Sequence, residues 1–334
     1  MTVTIREVAD AAGVSTATVS RTLSGVQTVD PQLAERVRRS AESLGYRANR
    51  VAQALRRQST QTVGVVVPDI TSPLFPAMIQ VIERELRLAG LSLLLCDAGS
   101  DVATEAELVR DLFGHQVDGL MISPCDRVAS QPAVRLAASR IPVIQIGRQA
   151  VAGLPYVEVD QADAMGQVID HLTVQGCRSF AYISAGPEIP AARERLDAFT
   201  ARVRPLDPAA AGRTYLGDYS VAWGREAARL LARGPLPDAV VCASDQGALG
   251  ALQALRAHGV RVPGDVAITG FDDTVLAEAC EPRLTTVRQP LRELGAQAVT
   301  ALRAAIGPAG TPRSAVLKAE LVIRGSSRRA HAAG

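Results

Sequence analysis

The stretch Thr4–Gly25, TIREVADAAGVSTATVSRTLSG, carries two helix signals separated by one glycine. Thr4 and Glu7 have capping-box spacing, in which each side chain satisfies a free amide of the first turn. Ile5, Val8, Ala9 and Ala12 fall on one face at helical period. Gly13 supplies a left-handed stop. Ser15 or Thr16 caps a second helix to about Leu23, with Val14, Val19 and Leu23 facing inward. Asp30-Pro31 is a cap followed by a first-turn proline, and predicts a third helix to Leu44 that stops at Gly45. Three short helices with a glycine-containing turn between the first two describe a helix-turn-helix unit.

The outer face of the second helix shows small hydroxyls and methyls with Arg21 among them, and no run of acid–base pairs. Such a face suits the major groove of double-stranded DNA. Hydroxyls reach phosphates or base edges, methyls meet thymine methyls, and arginine grips guanine. On spacing alone, a small bundle with a mild surface is the alternative. Charge favours DNA: nine arginines against five carboxylates give residues 1–60 a charge of +4 and leave the remainder at −2. A positive charge concentrated in one segment points to an anionic partner.

From Val63 the texture changes. VGVVVPD, LSLLLCD, DGLMISP, IPVIQIG, FAYISA, DAVVCAS and DVAITGF are short apolar runs that end in Pro, Asp, Ser or Gly. Helical patterns such as PAMIQVIERELRLAG and DQGALGALQALRAHG lie between most of them. This alternation predicts βαβ units and an α/β fold with two parallel sheets of five or six strands each. A chain of 334 residues with 47% apolar and only 3% aromatic residues suits such helix-covered sheets. Ligands of these folds bind beyond the carboxyl ends of the strands. The strand-end polar residues Asp69, Asp97, Ser123, Arg148, Ser184, Ser244 and Asp272 are therefore site candidates.

The expected boundaries are a head at 1–48, a hinge helix and linker at 49–61, a large α/β part at 62–325, which the family resemblance given below makes the effector-binding and dimerisation part, and a disordered tail at 326–334. Within the large part, 62–160 with 290–325 forms one subdomain and 161–289 the other. Five scattered cysteines without C-x-x-C spacing read as reduced thiols. No signal-peptide core or long apolar span is legible, so a cytoplasmic protein with no membrane contact is expected.

Four segments together resemble the LacI/GalR family of bacterial transcription regulators: TIREVADAAGVSTATVSRTLSG, GYRANRVAQALRRQSTQTVGVVVPDI, SDQGALGALQALRAHGVRVPGDVAITGFDD and PRLTTVRQP. The likeness runs from Val3 to about Arg324. It implies a homodimer on a palindromic operator, most simply a repressor. It also implies a periplasmic-binding-protein-like part whose two subdomains are joined by three crossovers and close on a small molecule. Thr16 and Ala17 match the family's base-reading pair, and Arg21 its arginine in TVSR. Thr4, Ser15, Thr18, Ser20, Asn49 and Ala52 fall on further DNA-facing positions. Tyr46 is either a DNA neighbour or core packing. Leu55 matches a leucine wedged into the minor groove at the operator centre.

In the cleft, the resemblance implies effector contacts from Ser72, Phe75, Ser123, Arg148, Arg195, Tyr219, Ser244, Asp272 and Gln289. Arg195 matches an arginine that grips hydroxyls or a carboxylate, and Tyr219 an aromatic that stacks on a sugar face. The chain departs from the family where Ser72 replaces Asn, Ala198 replaces Gly and Gly147 stands where Asp usually precedes Arg148. Trp223, the one tryptophan, suits the core or the cleft lining. The effector expected is a sugar, polyol or nucleoside-like molecule; the alternative is a protein co-effector. A solute-binding protein fits the α/β part alone, but not the basic head. No hydrolase elbow, zinc motif or phosphate loop occurs, and His115, His171, His258 and His331 lack metal-ligand spacing, so neither enzyme activity, cofactor nor metal is expected.

Overall fold

The computed structural model describes residues 3–23, 29–46, 59–307 and 310–328. The chain forms two compact units, divided between Thr60 and Gln61.

The first unit holds α1 (Ile5–Ala12), α2 (Thr16–Leu23) and α3 (Pro31–Ser43). The Thr4–Glu7 capping box is formed, and Gly13 turns the chain at φ +62°. Ser15 caps α2 by accepting from the Thr18 amide at 3.1 Å, and Asp30 caps α3 by accepting from the amides of Gln32 and Leu33 at 3.0 Å. Each such cap stabilises a short helix by about 1 kcal/mol. Val8, Ala9, Ala12, Val19, Val37 and Ala41 form a small core, against which Tyr46 packs.

The second unit is two α/β layers in series. The first sheet combines β1 (Thr62–Val67), β2 (Ser92–Asp97), β3 (Gly119–Ile122), β4 (Val143–Ile146), β5 (Tyr156–Val159) and β11 (Ala315–Leu317) in the order β11-β5-β4-β3-β1-β2. Every pairing in it is parallel. Helices α4 (Leu74–Leu88), α5 (Val102–Gly114), α6 (Gln131–Ala138) and α12 (Leu291–Ile306) cover it.

The second sheet is β7 (Thr214–Gly217), β6 (Phe180–Ala185), β8 (Ala239–Cys242) and β9 (Ala267–Thr269), again parallel. It is covered by α7 (Gln161–Val174), α8 (Pro190–Val203), α9 (Val221–Leu231) and α10 (Asp245–Ala257), with the one-turn α11 (Val275–Ala279) beside α10. Buried runs such as Val65, Val66 and Val67 face helices on both sides, which is why these strands read as continuous apolar stretches rather than alternating ones.

Two expectations need correction. The second sheet has four strands, not five or six, because β10 (Thr286–Arg288) leaves it to pair antiparallel with β12 (Glu320–Val322). Parallel bridges from Thr285 to Thr269 and from Arg288 to Asp272 still tie this segment to the end of β9. The tail expected to be disordered from residue 326 is ordered in its described part, where Ser326 and Ser327 are fully buried. Ser326 Oγ donates to the Ile268 carbonyl at 2.6 Å and accepts from the Thr285 amide at 2.8 Å, while Ser327 Oγ meets His171 Nε2 at 2.8 Å. Ser326 and Ser327 are therefore pinned to the second layer, although α12 and β11 before them build the first. The described chain passes between the layers after β5, after β10 and after β11.

Candidate functional site

In the first unit, the outer face of α2 presents Thr16, Ala17 and Arg21 to solvent. Arg21 makes no ion pair among the described residues, whereas Arg38 and Arg39 on α3 both pair with Glu35. Ser15 and Thr18 are committed to the turn through a 2.9 Å hydroxyl contact, and Thr4 to its capping box. Thr18 and Ser20 are partly covered. Tyr46 is half-buried against the helical core. Asn49, Ala52 and Leu55 lie outside the described residues.

In the second unit, a cavity of about 610 Å³ opens at the carboxyl edges of β1, β3, β4 and β6–β9. All nine residues expected in the cleft line it: Ser72, Phe75, Ser123, Arg148, Arg195, Tyr219, Ser244, Asp272 and Gln289. Of the strand-end candidates, Asp97 and Ser184 do not. The Asp97 carboxylate is spent on the Ile70 amide at 3.1 Å, and Ser184 lends its carbonyl to the Trp223 indole at 3.1 Å. Trp223 thus packs beside the second core rather than lining the cavity.

Arg195, on α8, is buried and held by three polar partners. Its Nε donates to Gln161 Oε1 at 2.8 Å, Nη1 to the Ala243 carbonyl at 2.6 Å, and Nη2 approaches Asp272 Oδ1 at 3.5 Å. Its guanidinium lies 3.6 Å from the centre of the Phe271 ring, a close cation–π contact. Asp272 sits at φ +107°, a conformation that costs an L residue energy and holds its carboxylate at the cavity wall. Gln289 donates to the same Asp272 oxygen at 2.6 Å. Burial pushes the Asp272 carboxyl up, and Arg195 pulls it back.

Next in sequence, Asp273 (φ +50°) points the other way. Its oxygens hold Arg288 Nε and Arg324 Nη1, each at 2.7 Å. These arginines flank the β10–β12 ribbon. The pair Asp272-Asp273 therefore joins the cavity wall to the segments that pass between the layers.

Arg148 follows Gly147, which turns at φ +66°. Its Nη1 donates to the Pro124 carbonyl at 3.3 Å, and its guanidinium lies 5.6 Å from the Phe75 ring. Ser244 caps α10 through the Gly247 amide at 3.0 Å, so its hydroxyl is partly committed. Asp245 beside it is turned away from the cavity. It accepts from Thr286 Oγ1, Thr274 Oγ1 and the Thr274 amide, and burial pushes it up to about 7. Sequence reasoning missed Gln161, which orients Arg195 from a neighbouring helix, because nothing local marks it. It also missed the 2.7 Å hydrogen bond from the Arg127 amide to the Glu188 carbonyl, which joins the loops after β3 and β6. Among the described residues no cluster of His, Cys, Asp and Glu could hold a metal ion, and no helix is long and apolar enough to cross a membrane.

Comparison with known proteins agrees with this division. Residues 4–49 match the bacterial regulatory proteins of the lacI family, and residues 169–327 match the periplasmic binding protein-like domain. The repressor CytR of Escherichia coli K12 is 31% identical over 332 residues, covering 97% of this chain and 96% of its own. Catabolite control protein A of Priestia megaterium is 31% identical over 306 residues, covering 90% and 92%. The structure of a lac repressor dimer bound to operator and the anti-inducer ONPF aligns with a TM-score of 0.87 at 26% identity, covering 98% of this chain and 99% of that one. These relatives are DNA-binding transcription regulators, and a likeness of this extent at this identity makes the chain a member of the LacI family of bacterial regulatory proteins.

Proposed function

We propose that this regulator represses transcription as a homodimer on a palindromic operator, and that a small polyhydroxylated molecule in the cavity of the second unit alters its DNA affinity. The observation that carries this reading is the origin of the cavity wall. Arg148 comes from the first layer, Arg195 and Tyr219 from the second, and Gln289 from the chain passing between them. A molecule touching all of these changes the free energy of closing one layer on the other. Whatever DNA affinity the ligand changes, DNA must change ligand affinity by the same factor. The solved lac repressor complex, which holds both operator and anti-inducer, supports the same pairing of sites.

On the head, Thr16, Ala17 and Arg21 are the base-reading candidates, and a dimer would place two such faces about one helical turn of DNA apart. Arg21→Ala is expected to cost about 1–3 kcal/mol of specific binding and little of non-specific binding. Gel shifts on a selected duplex and on a scrambled one measure both. Equal losses on the two DNAs would reduce Arg21 to a phosphate contact. The reading as a whole is tested by selecting a duplex from random DNA, measuring the mass of the complex, and repeating the titration with candidate sugars, polyols and nucleosides. A symmetric site bound by two chains, with affinity moved by one ligand, is the expected result. A monomeric complex, or affinity indifferent to every small molecule, overturns it and favours a protein co-effector.

A further inference from the structure

The interior of the cavity wall is unbalanced in charge. Among the described residues it holds two guanidiniums, Arg148 and Arg195, and one carboxylate with a tenth of its side chain exposed, Asp272. Arg195 and Asp272 compensate each other. Gln161, the Ala243 carbonyl and the Phe271 ring also hold the Arg195 guanidinium. Arg148 has no carboxylate partner among the described residues, and its ring contact, with Phe75, is the looser 5.6 Å. It forms no ion pair among the described residues, and a single 3.3 Å hydrogen bond to Pro124 uses one of its five N–H donors. Gly147 beside it adds no side chain. Burial already weighs against its charge, yet arginine does not give up its proton. Arg148 is half-buried, so a partly desolvated cation faces the cavity without a counter-charge, and a bound anion relieves that cost.

Four further carboxylates line the cavity, and they set the limits of the argument. Asp69 accepts from the Thr71 amide at 2.8 Å, and Asp126 from the amides of Val128 and Ala129 at 2.6 and 2.7 Å, so both are tied to their own loops. Glu188 and Asp218 are exposed, where water and salt screen them. They repel a multiply charged ligand but accept hydrogen bonds from hydroxyls. Asp245 is satisfied by three hydrogen bonds and does not line the cavity.

We propose that the effector carries one anionic oxygen group, a carboxylate or a phosphate on a polyhydroxylated frame, and that Arg148 receives it in a bidentate contact while Asp272 and the outer carboxylates take the hydroxyls. The proposal rests on reading this cavity as the effector site.

Thermal shift and calorimetry on the full chain test it with matched probes. Aldonates and uronates form one arm, sugar monophosphates a second, and the parent neutral sugars and alditols a third. An acid or phosphate is expected to raise Tm where its neutral parent does not, and the responding arm tells carboxylate from phosphate. Arg148→Gln should weaken that ligand roughly ten- to hundredfold. Arg148→Lys should restore part of the affinity, because it keeps the charge and loses the fork. Unfolding curves matching the parent protein show that R148Q is folded.

A neutral ligand that binds as well as its acid counterpart overturns the proposal. So does an acid that R148Q binds unchanged, or the absence of a shift with any acid or phosphate. The site itself is tested separately. A neutral ligand lost in Asp272→Asn keeps the cleft and removes the anion. An anion that survives both R148Q and D272N places the effector elsewhere.

Discussion

Arg195 reads in the sequence as a ligand-gripping arginine, but its surroundings give it a second duty. Stacked on Phe271 and bonded to Gln161, Ala243 and Asp272, it is also a tie between α7, α8 and the loops after β8 and β9. Removing one member of a buried pair leaves the other uncompensated. Arg195→Ala is thus expected to lower stability by about 3 kcal/mol, as well as to lose the ligand response. Denaturant unfolding checks this, and an unchanged midpoint would leave Arg195 a ligand contact only. Glu158 on β5 gives a pH signature. Burial pushes its carboxyl up to about 7, with Glu194 and Asp160 adding to the shift. A carboxyl raised on folding stabilises most below its unfolded pKa, and that contribution is lost as pH rises through the folded value. Glu158→Gln should therefore gain Tm over the parent protein at about pH 8 relative to about pH 5. A constant difference across that range would show that Glu158 titrates as it does in water.

At the scale of elements, the tightest packing joins α9 to α10. A Cβ on Gly250 would lie 2.1 Å from the Val221 carbonyl oxygen, and one on Gly224 2.1 Å from that of Gly247. Both obstacles are backbone, so the helices themselves must separate. Gly250→Ala is expected to cost about 1–3 kcal/mol. Gly234→Ala, with nothing within 4 Å of the new methyl, should stay within about 0.5 kcal/mol. Comparable losses at both positions would remove the close approach as the cause. The helices of the head and the seven apolar strand runs were legible because each carries its own signal: a cap, a stop, or a β-branched run between breakers. Strands β5, β7, β11 and β12 were not. Their sequences YVEV, TYLG, AVL and ELV, like TVR of β10, show no apolar run set off by breakers, and they form because a neighbouring strand offers a free edge.

At the scale of the whole molecule, the last described residues close the second layer. Ser326 serves two buried backbone groups at once, the Thr285 amide and the Ile268 carbonyl. Ending the chain after Arg324 should lower stability by roughly 2–4 kcal/mol, while ending it after Arg328 should cost far less. Unfolding midpoints of the two truncations measure the difference, and equal midpoints would mean that residues 325–328 do not hold the layer. Sequence alone determined the helix-turn-helix head, the repeated βαβ plan, the family resemblance and nine residues that share one cavity. Those features are written in local spacing, or in motifs whose order survives without the fold. Only the tertiary structure decided that Tyr46 lies half-buried against the head core, that Ser326 and Ser327 are buried, and that β10 pairs antiparallel with β12. It also decided the charge state of the cavity wall. Two arginines are equivalent letters in a sequence; which of them already has a carboxylate depends on distances between segments far apart in the chain, and burial makes that difference count.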